Sequence, residues 1–376
     1  MRVSTLQTFH IGLNNILDNQ TAVNKTQQQV STGRRVLTPA DDPVASTKIL
    51  QLQQDLAQRE QYDRNITAAE NRLKLEESSL ASVTSSLTRL QELTVKAGGG
   101  SLTISDRQAI AAEVGEIQKG LVDLFNTRDP NGEYIFAGFK GQNPPFVQQQ
   151  NGRYEYEGDE GQRILPIGPS TNVATGDTGK ALFVDVRAAD NSFTTFENPI
   201  NTGDITINAG FVLDKEKYAE FYPDDLVITF NSESEVTPPG PNYTIRRQSD
   251  NRIVDGLANQ KYSPSSQIVA AGLGFTITGE PQPGDEALVK STPKQSITDT
   301  IFRLEQGLNT LQDNPTDAAT LDTLIADTLT NLQFAQTSVS EVRSQVGARL
   351  NVVENTQNLS ADIELVNKEV LSKLSD

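Results

Sequence analysis

The sequence predicts an α+β protein: a long antiparallel α-helical rod made from the N- and C-terminal segments, with a β-hairpin and an inserted antiparallel β-domain. Three observations carry that prediction. Between Pro43 and Ala97, Ile66, Ala69, Leu73, Glu76, Leu80, Val83, Leu87 and Leu90 step by alternating fours and threes, which keeps one stripe on one helix face. Glu76 is its only polar member. A second run of the same kind, from Thr316 to the C-terminus, carries Ile325, Leu329, Leu332, Val339, Val342, Val346, Val353, Leu359, Ile363, Val366 and Val370. Between them, Phe146–Lys290 changes to short β-prone stretches divided by most of the seventeen prolines. At ~1.5 Å per residue, 43–97 would reach about 80 Å, a length that needs a partner helix of similar reach.

Taken in order, residues 4–30 form a first helical arm. Phe9, Leu13, Ile16, Val23 and Val30 lie on one track and Leu6 adds to it, with Gln20 and Gln27 filling the remaining places. The stripe is narrow, so the arm is expected to seek a partner and order on assembly. Gly33 suits a helix C-cap, and Asp42 before Pro43 reads as an N-cap with proline in the first helical position. The neighbouring Asp41–Asp42 carboxylates carry no metal or acid–base reading, because capping accounts for Asp42 and no third ligand is near.

Ala97-Gly98-Gly99-Gly100 ends the long helix. No GxxxxGK pattern accompanies these glycines, so they do not read as a phosphate loop. Ser105–Gln108 reads as a capping box for a helix through Ile110, Val114, Ile117, Leu121 and Leu124, closed by the turn Asp129-Pro130-Asn131-Gly132. Tyr134–Gly138 reads as a short strand. Asn151-Gly152 marks a hairpin. Strands are expected at Ile164–Ile167, Leu182–Val186, Leu226–Phe230, Tyr243–Arg246, Gly274–Thr278 and Ala287–Val289, with Lys215–Phe221 as a short helix. These imply a sandwich or a barrel. Phe183, Phe193, Phe196, Phe211, Phe221 and Tyr222 are expected in its core. Ser296–Asp299 caps a helix through Ile301, Leu304, Leu308 and Leu311, which Asn314-Pro315 breaks. The domains expected are 1–42, an assembly arm and loop; 43–145, the first half of the rod with a hairpin; 146–290, the outer β-domain; and 291–376, the second half of the rod.

Composition narrows the function. The chain has 376 residues, a formal charge of −17, one histidine and no cysteine. The acidic balance argues against a nucleic-acid surface, and Val147–Lys290 alone holds 21 acidic against 11 basic side chains. Absence of cysteine removes disulfides, thiol nucleophiles and cysteine zinc sites. His10 sits in the arm, and no HExxH, P-loop or GxGxxG context exists, so neither a catalytic site nor a cofactor or metal is expected. No apolar run of about 18 residues suggests a membrane span, and the N-terminus lacks the apolar segment of a cleaved signal peptide.

Gln29-Val30-Ser31-Thr32-Gly33-Arg34-Arg35-Val36, followed by Asp41-Asp42-Pro43, resembles the N-terminal signature of bacterial flagellins and their hook-associated relatives. Glu341-Val342-Arg343-Ser344-Gln345-Val346-Gly347-Ala348-Arg349-Leu350-Asn351 resembles the C-terminal signature of that family. The resemblance covers roughly 1–140 and 295–376. Tyr134–Gly138 is similar to the strand that follows the rod helices in the junction-forming members, and implies a hairpin anchored on the rod by Phe136 and Phe139. The resemblance marks Arg34, Asp42, Arg343, Val346, Leu350 and Asn351 as assembly or packing residues, beside Leu6, Phe9, Leu13, Ile16, Val23, Val30, Leu73, Leu80, Leu87 and Phe136.

It further implies a structural subunit at the hook–filament junction of the flagellum, stacked with its own copies in a ring or helical layer. The partners it implies are the hook-side hook-associated protein 1, flagellin and a cytoplasmic export chaperone, with export through the flagellar type III channel and no nucleic acid or membrane bound. Flagellin itself, a cytosolic helical scaffold with a β insert, and a glycan-binding β-domain are the rival readings. Members of this family carry a further apolar terminal helix that coils against the arm. Thr316–Lys368, 53 residues, matches the 55 of Pro43–Ala97 and leaves almost nothing to pair with 1–30. That helix is therefore expected to be missing, and residues 1–35 to be mobile in the isolated chain or packed on a neighbour.

Overall fold

The computed structural model describes residues 5–100 and 102–376. Contacts divide the chain into two compact units. The first holds residues up to Glu70, Leu165–Val173 and Asn351–Asp376; the second holds Asn71–Ile164 and Ala174–Leu350.

Helices α1 (Thr5–Thr32), α2 (Pro43–Ala97) and α3 (Ile104–Phe125) come first in the chain, and α5 (Ile297–Thr310) and α6 (Pro315–Ser375) close it. α2 has the bounds the sequence predicts. The Asp42 carboxylate accepts the Ala45 N–H at 2.9 Å, while Gly98 follows the last turn. Asn314 caps α6 in the same way, accepting the Asp317 N–H at 2.9 Å. α6 then runs unbroken to Ser375, beyond the Lys368 at which the sequence reading ends the pairing helix.

Within the first unit, α2 and α6 run antiparallel. Ser360 donates to Asp63 at 3.0 Å and Asn367 to Asp55 at 3.0 Å, so ascending α2 descends α6. Few apolar side chains are buried here: Ile66, Ala69, Ile167 and Val353 are the main ones. Within the second unit the same order holds, with Arg343 on Glu77 and Gln336 on Thr88. Its helical core is larger. Leu80, Val83, Leu87 and Leu90 of α2 meet Leu332 and Val339 of α6 and, from α3 and α5, Val114, Leu121, Leu304 and Leu308. The capping box of α3 is real but starts at Thr103, whose hydroxyl accepts the Asp106 N–H, two residues before the expected Ser105.

The β structure divides differently from the expected single domain of 146–290. β1 (Phe146–Gln148) and β2 (Tyr154–Tyr156) form the Asn151-Gly152 hairpin. β3 (Ile164–Pro166) and β4 (Asn172–Ala174) form a second ribbon. Phe146, Leu182, Phe183 and Val186 belong to the helical core, where Phe183 stacks on Phe125 at 3.9 Å between ring centres. A separate core lies between two sheets built from residues 187–294. In chain order its strands are β5 (Arg187–Glu197), β6 (Thr206–Ile207), β7 (Phe211–Val212), β8 (Leu226–Asn231), β9 (Asn242–Arg247), β10 (Gln260–Lys261), β11 (Gln267–Ala270), β12 (Leu273–Thr278) and β13 (Glu286–Lys294), with α4 (Lys215–Phe221) between β7 and β8. One sheet has the order β10-β9-β8-β13-β5; the other is β11-β12-β6, with β7 also on β12. Among the described residues the strand pairings of both sheets are antiparallel. Phe193, Ile228, Phe230, Ile245, Phe275 and Ile277 fill the space between the sheets.

Two expected strands are not strands. At Tyr134–Gly138 the backbone bonds to several different segments: Tyr134 N–H to Gly141, Ile135 N–H to Thr127, and the Phe136 and Ala137 carbonyls to Gly179 and Asp159. Gly138 takes φ +69°, and a Cβ there would lie 2.2 Å from an Asp159 oxygen, so the apolar residues are buried by a tight turn. At 182–186 the apolar run opens with a five-residue π turn, Lys180–Val184. A strand would send Leu182 and Phe183 to opposite faces; the turn lets both point into the core. Phe136 is fully buried against Phe183, but Phe139 is 63 % exposed and anchors nothing in the core. Phe196 is likewise only partly covered, with the Lys290 ammonium over its ring.

Candidate functional site

Two arrangements stand out, an uncovered helical face in the first unit and ion-paired seams in the second. α1 is amphipathic but has no partner for its stripe among the described residues: Phe9, Leu13, Ile16, Val23 and Val30 are 45–80 % exposed, and Ile11 and Leu17 join them. The side chain of Leu6 lies outside the described residues. On α6 of the same unit, Val352, Leu359 and Val366 repeat at heptad spacing and are also exposed. Such rows on solvent-facing helices mark surfaces built to be covered.

The loop between α1 and α2 is ordered by polar contacts. Gly33 adopts φ +68°, which permits the reversal after α1. The Asp41 carboxylate meets Lys25 and accepts the Leu37 and Thr38 N–H groups; the Lys25 contact, then these amides, hold its pKa down at about 2. The Ala45 N–H, then the Arg35 guanidinium, lowers that of Asp42. The Arg35 and Val36 N–H groups donate to the Ser375 carbonyl, and the Arg35 guanidinium to that of Leu374, so the loop covers the carbonyl end of α6. Arg34, the residue singled out from the sequence, is exposed beside them. The signature arginine that does the capping is its neighbour.

In the second unit, Leu73, Leu80, Leu87 and Val346 are fully buried, as the periodicity requires, while Leu350 is half-buried. Asn351, in the first unit, is exposed. Arg343 grips Glu77 through Nε and Nη2 at 3.1 and 2.7 Å. Arg349, which sequence reasoning passed over, makes a two-pronged pair with Asp177 at 2.7 and 3.0 Å. Farther along, Arg153 on the β1–β2 hairpin pairs with both oxygens of Asp299 at 3.0 Å and donates to Thr195, all buried. Asp299 therefore spends its carboxylate on Arg153, and Ser296 caps α5 alone. Arg303, one turn on, is buried against the Phe193 ring and bonds Ser192, Phe193 and Gln295; burial pulls its pKa down to about 10, so it stays charged. The ion-paired partners stand more than a hundred positions apart, and no local pattern announces them.

Nothing in these arrangements has the form of a reaction centre. His10 is exposed on α1, and among the described residues no group of three His, Cys, Asp or Glu side chains is placed to hold a metal ion. Among them, too, no helix is long and apolar enough to cross a membrane.

Both the N-terminal sequence and the fold are similar to those of flagellar proteins. Residues 3–140 match the bacterial flagellin N-terminal helical region. The chain is 37 % identical over 188 residues to flagellar hook-associated protein 3 of Salmonella typhimurium, a match that spans 50 % of this chain and 58 % of that protein. Among solved structures it is similar to flagellar hook-associated protein 3 of Legionella pneumophila, with TM-score 0.59 and 29 % identity over 87 % of this chain and 98 % of that one. FlgL of Xanthomonas campestris gives TM-score 0.57 at 26 % identity, covering 85 % and 99 % of the two chains. The chain is similar to flagellins over residues 3–140 and to hook-associated protein 3 in fold, and it spans little more than half the length of the curated relative it matches.

Proposed function

We propose that this chain is a structural subunit of the bacterial flagellum that forms the filament side of the hook–filament junction. The observation that carries the reading is the likeness to hook-associated protein 3 over 98 % of the Legionella chain, joined to an α1 stripe that nothing among the described residues covers. The α1 and α6 rows would bury against the same rows of neighbouring copies, each subunit seeing the same surroundings in a ring or helical layer. Hook-associated protein 1 would lie on the hook side and flagellin on the other. Leu6, Phe9, Leu13, Ile16, Val23 and Val30 are the proposed assembly residues. Arg34 and Asn351, exposed on the same unit, would join them, while Asp42, Leu73, Leu80, Leu87, Phe136, Arg343, Val346 and Leu350 hold the subunit's own helices and turns. Few buried apolar groups in the first unit suit a chain exported unfolded, held by a cytoplasmic chaperone and needing no cleaved signal peptide. The role is mechanical and asks for no catalytic group.

Flagellin shares the 3–140 region, so genetics separates the two. Deleting the gene should leave hooks without filaments while flagellin accumulates in the medium, because filament subunits find no base to add to. Normal filaments on the deletion strain would end the junction reading.

A further inference from the structure

The apolar stripe of α2 contains one acid, Glu76, and the structure shows what surrounds it. Glu76 is 1 % exposed. Its Oε1 accepts the Asp177 N–H at 3.0 Å, while Oε2 is buried with no hydrogen-bond partner. Arg72, one turn earlier, has a buried Nε that is equally unpaired. Both atoms lie within 4 Å of the point where a Cβ on Gly176 would stand, so they border the same small gap.

The charges around Glu76 pair off without it. On α2, Arg72 meets Asp129 at 3.2 Å and Glu133 at 3.6 Å, and Glu77 takes Arg343 of α6. In the 128–141 loop, Glu133 also takes Arg163. In the 174–178 segment, Asp177 takes Arg349 of α6. Asp129, Glu133, Asp177 and Glu77 thus each have an arginine, and Glu76 is the carboxyl left over. A buried carboxylate with one oxygen unserved costs far more than the neutral acid in the same place.

We propose that Glu76 is a protonation switch in the seam of the second unit: neutral, it closes the 174–178 segment onto α2, and ionised, it loosens that closure. Burial, and after it the Asp177 carboxylate, raises the Glu76 pKa to about 8; the Asp177 N–H, Arg349 and Arg72 pull the other way and do not prevail. The sign follows from the raised folded value. The stabilisation is fully present below about 4.5, the ordinary value; the unfolded chain then ionises first, and folding weakens up to tenfold per pH unit until about 8, above which it levels off.

The test uses the full chain with two readouts. In denaturant titrations, the folding constant of Glu76→Gln relative to wild type should rise by about a hundredfold or more between pH 5 and pH 8; a ratio independent of pH would overturn the proposal. The second needs no variant, because the Asp177 amide donates to Glu76 and reports its charge. Its proton shift in the wild-type protein should titrate with a midpoint above 7. An amide shift unchanged between pH 6 and pH 9 would overturn the switch even if the variant failed to fold.

Discussion

Asp299→Ala should destabilise the second unit by about 3–5 kcal/mol, read as a lowered denaturation midpoint of the full chain. The carboxylate neutralises Arg153 at 3.0 Å through both oxygens, and the charge of Arg303 acts on it as well. Its loss leaves two buried guanidinium groups without their common counter-ion. Arg153→Ala should cost less than Asp299→Ala, because the remaining carboxylate still has Arg303 within its field. Replacing both partners with apolar residues of similar size should recover much of the loss, since the desolvation of the pair disappears together with its attraction. Equal losses in the two single variants that simply add in the double would show that the pair is not coupled in the way the geometry requires.

The second large effect falls on assembly and spares the fold. Leu13→Asp together with Ile16→Asp should abolish polymer formation and fail to restore motility to a deletion strain, while the purified variant melts like wild type. Both side chains are largely solvent-exposed, and exposed positions away from caps and cores change stability by about 0.5 kcal/mol or less. In a ring, the same two positions would bury a charge at each repeat of the interface, a penalty multiplied around the layer. A variant that complements motility fully would remove α1 from the assembly face.

Much of the helical architecture was legible before the structure. α2 could be drawn to its true bounds because Asp42-Pro43 opens it, the alternating four-three spacing runs through it and three glycines close it. The Asn151-Gly152 hairpin and α4 were equally local. β5, the longest strand, was not legible, since Arg187–Glu197 is mostly polar and lacks alternation. Its Thr195 and Phe193 carbonyls and its Ser192 hydroxyl are bonded by Arg153 and Arg303, which arrive from distant segments. Tyr134–Gly138 failed for the opposite reason: its apolar content is real, but Gly138 turns the chain before a ladder can form. The α1 stripe is legible as a pattern, and its exposure is a property that only the folded chain displays. Glu76 was noticed as the polar member of an apolar row; that its neighbours pair off without it depends on Asp129, Glu133, Asp177 and Arg349 converging from three separate stretches.

Immunogold electron microscopy of purified flagella, with antibody raised against the β-rich region 187–294, tests the junction reading most directly. The prediction is a single band of gold where hook meets filament. Label along the whole filament would make the chain a filament subunit, and flagella free of label would contradict a place in the organelle altogether.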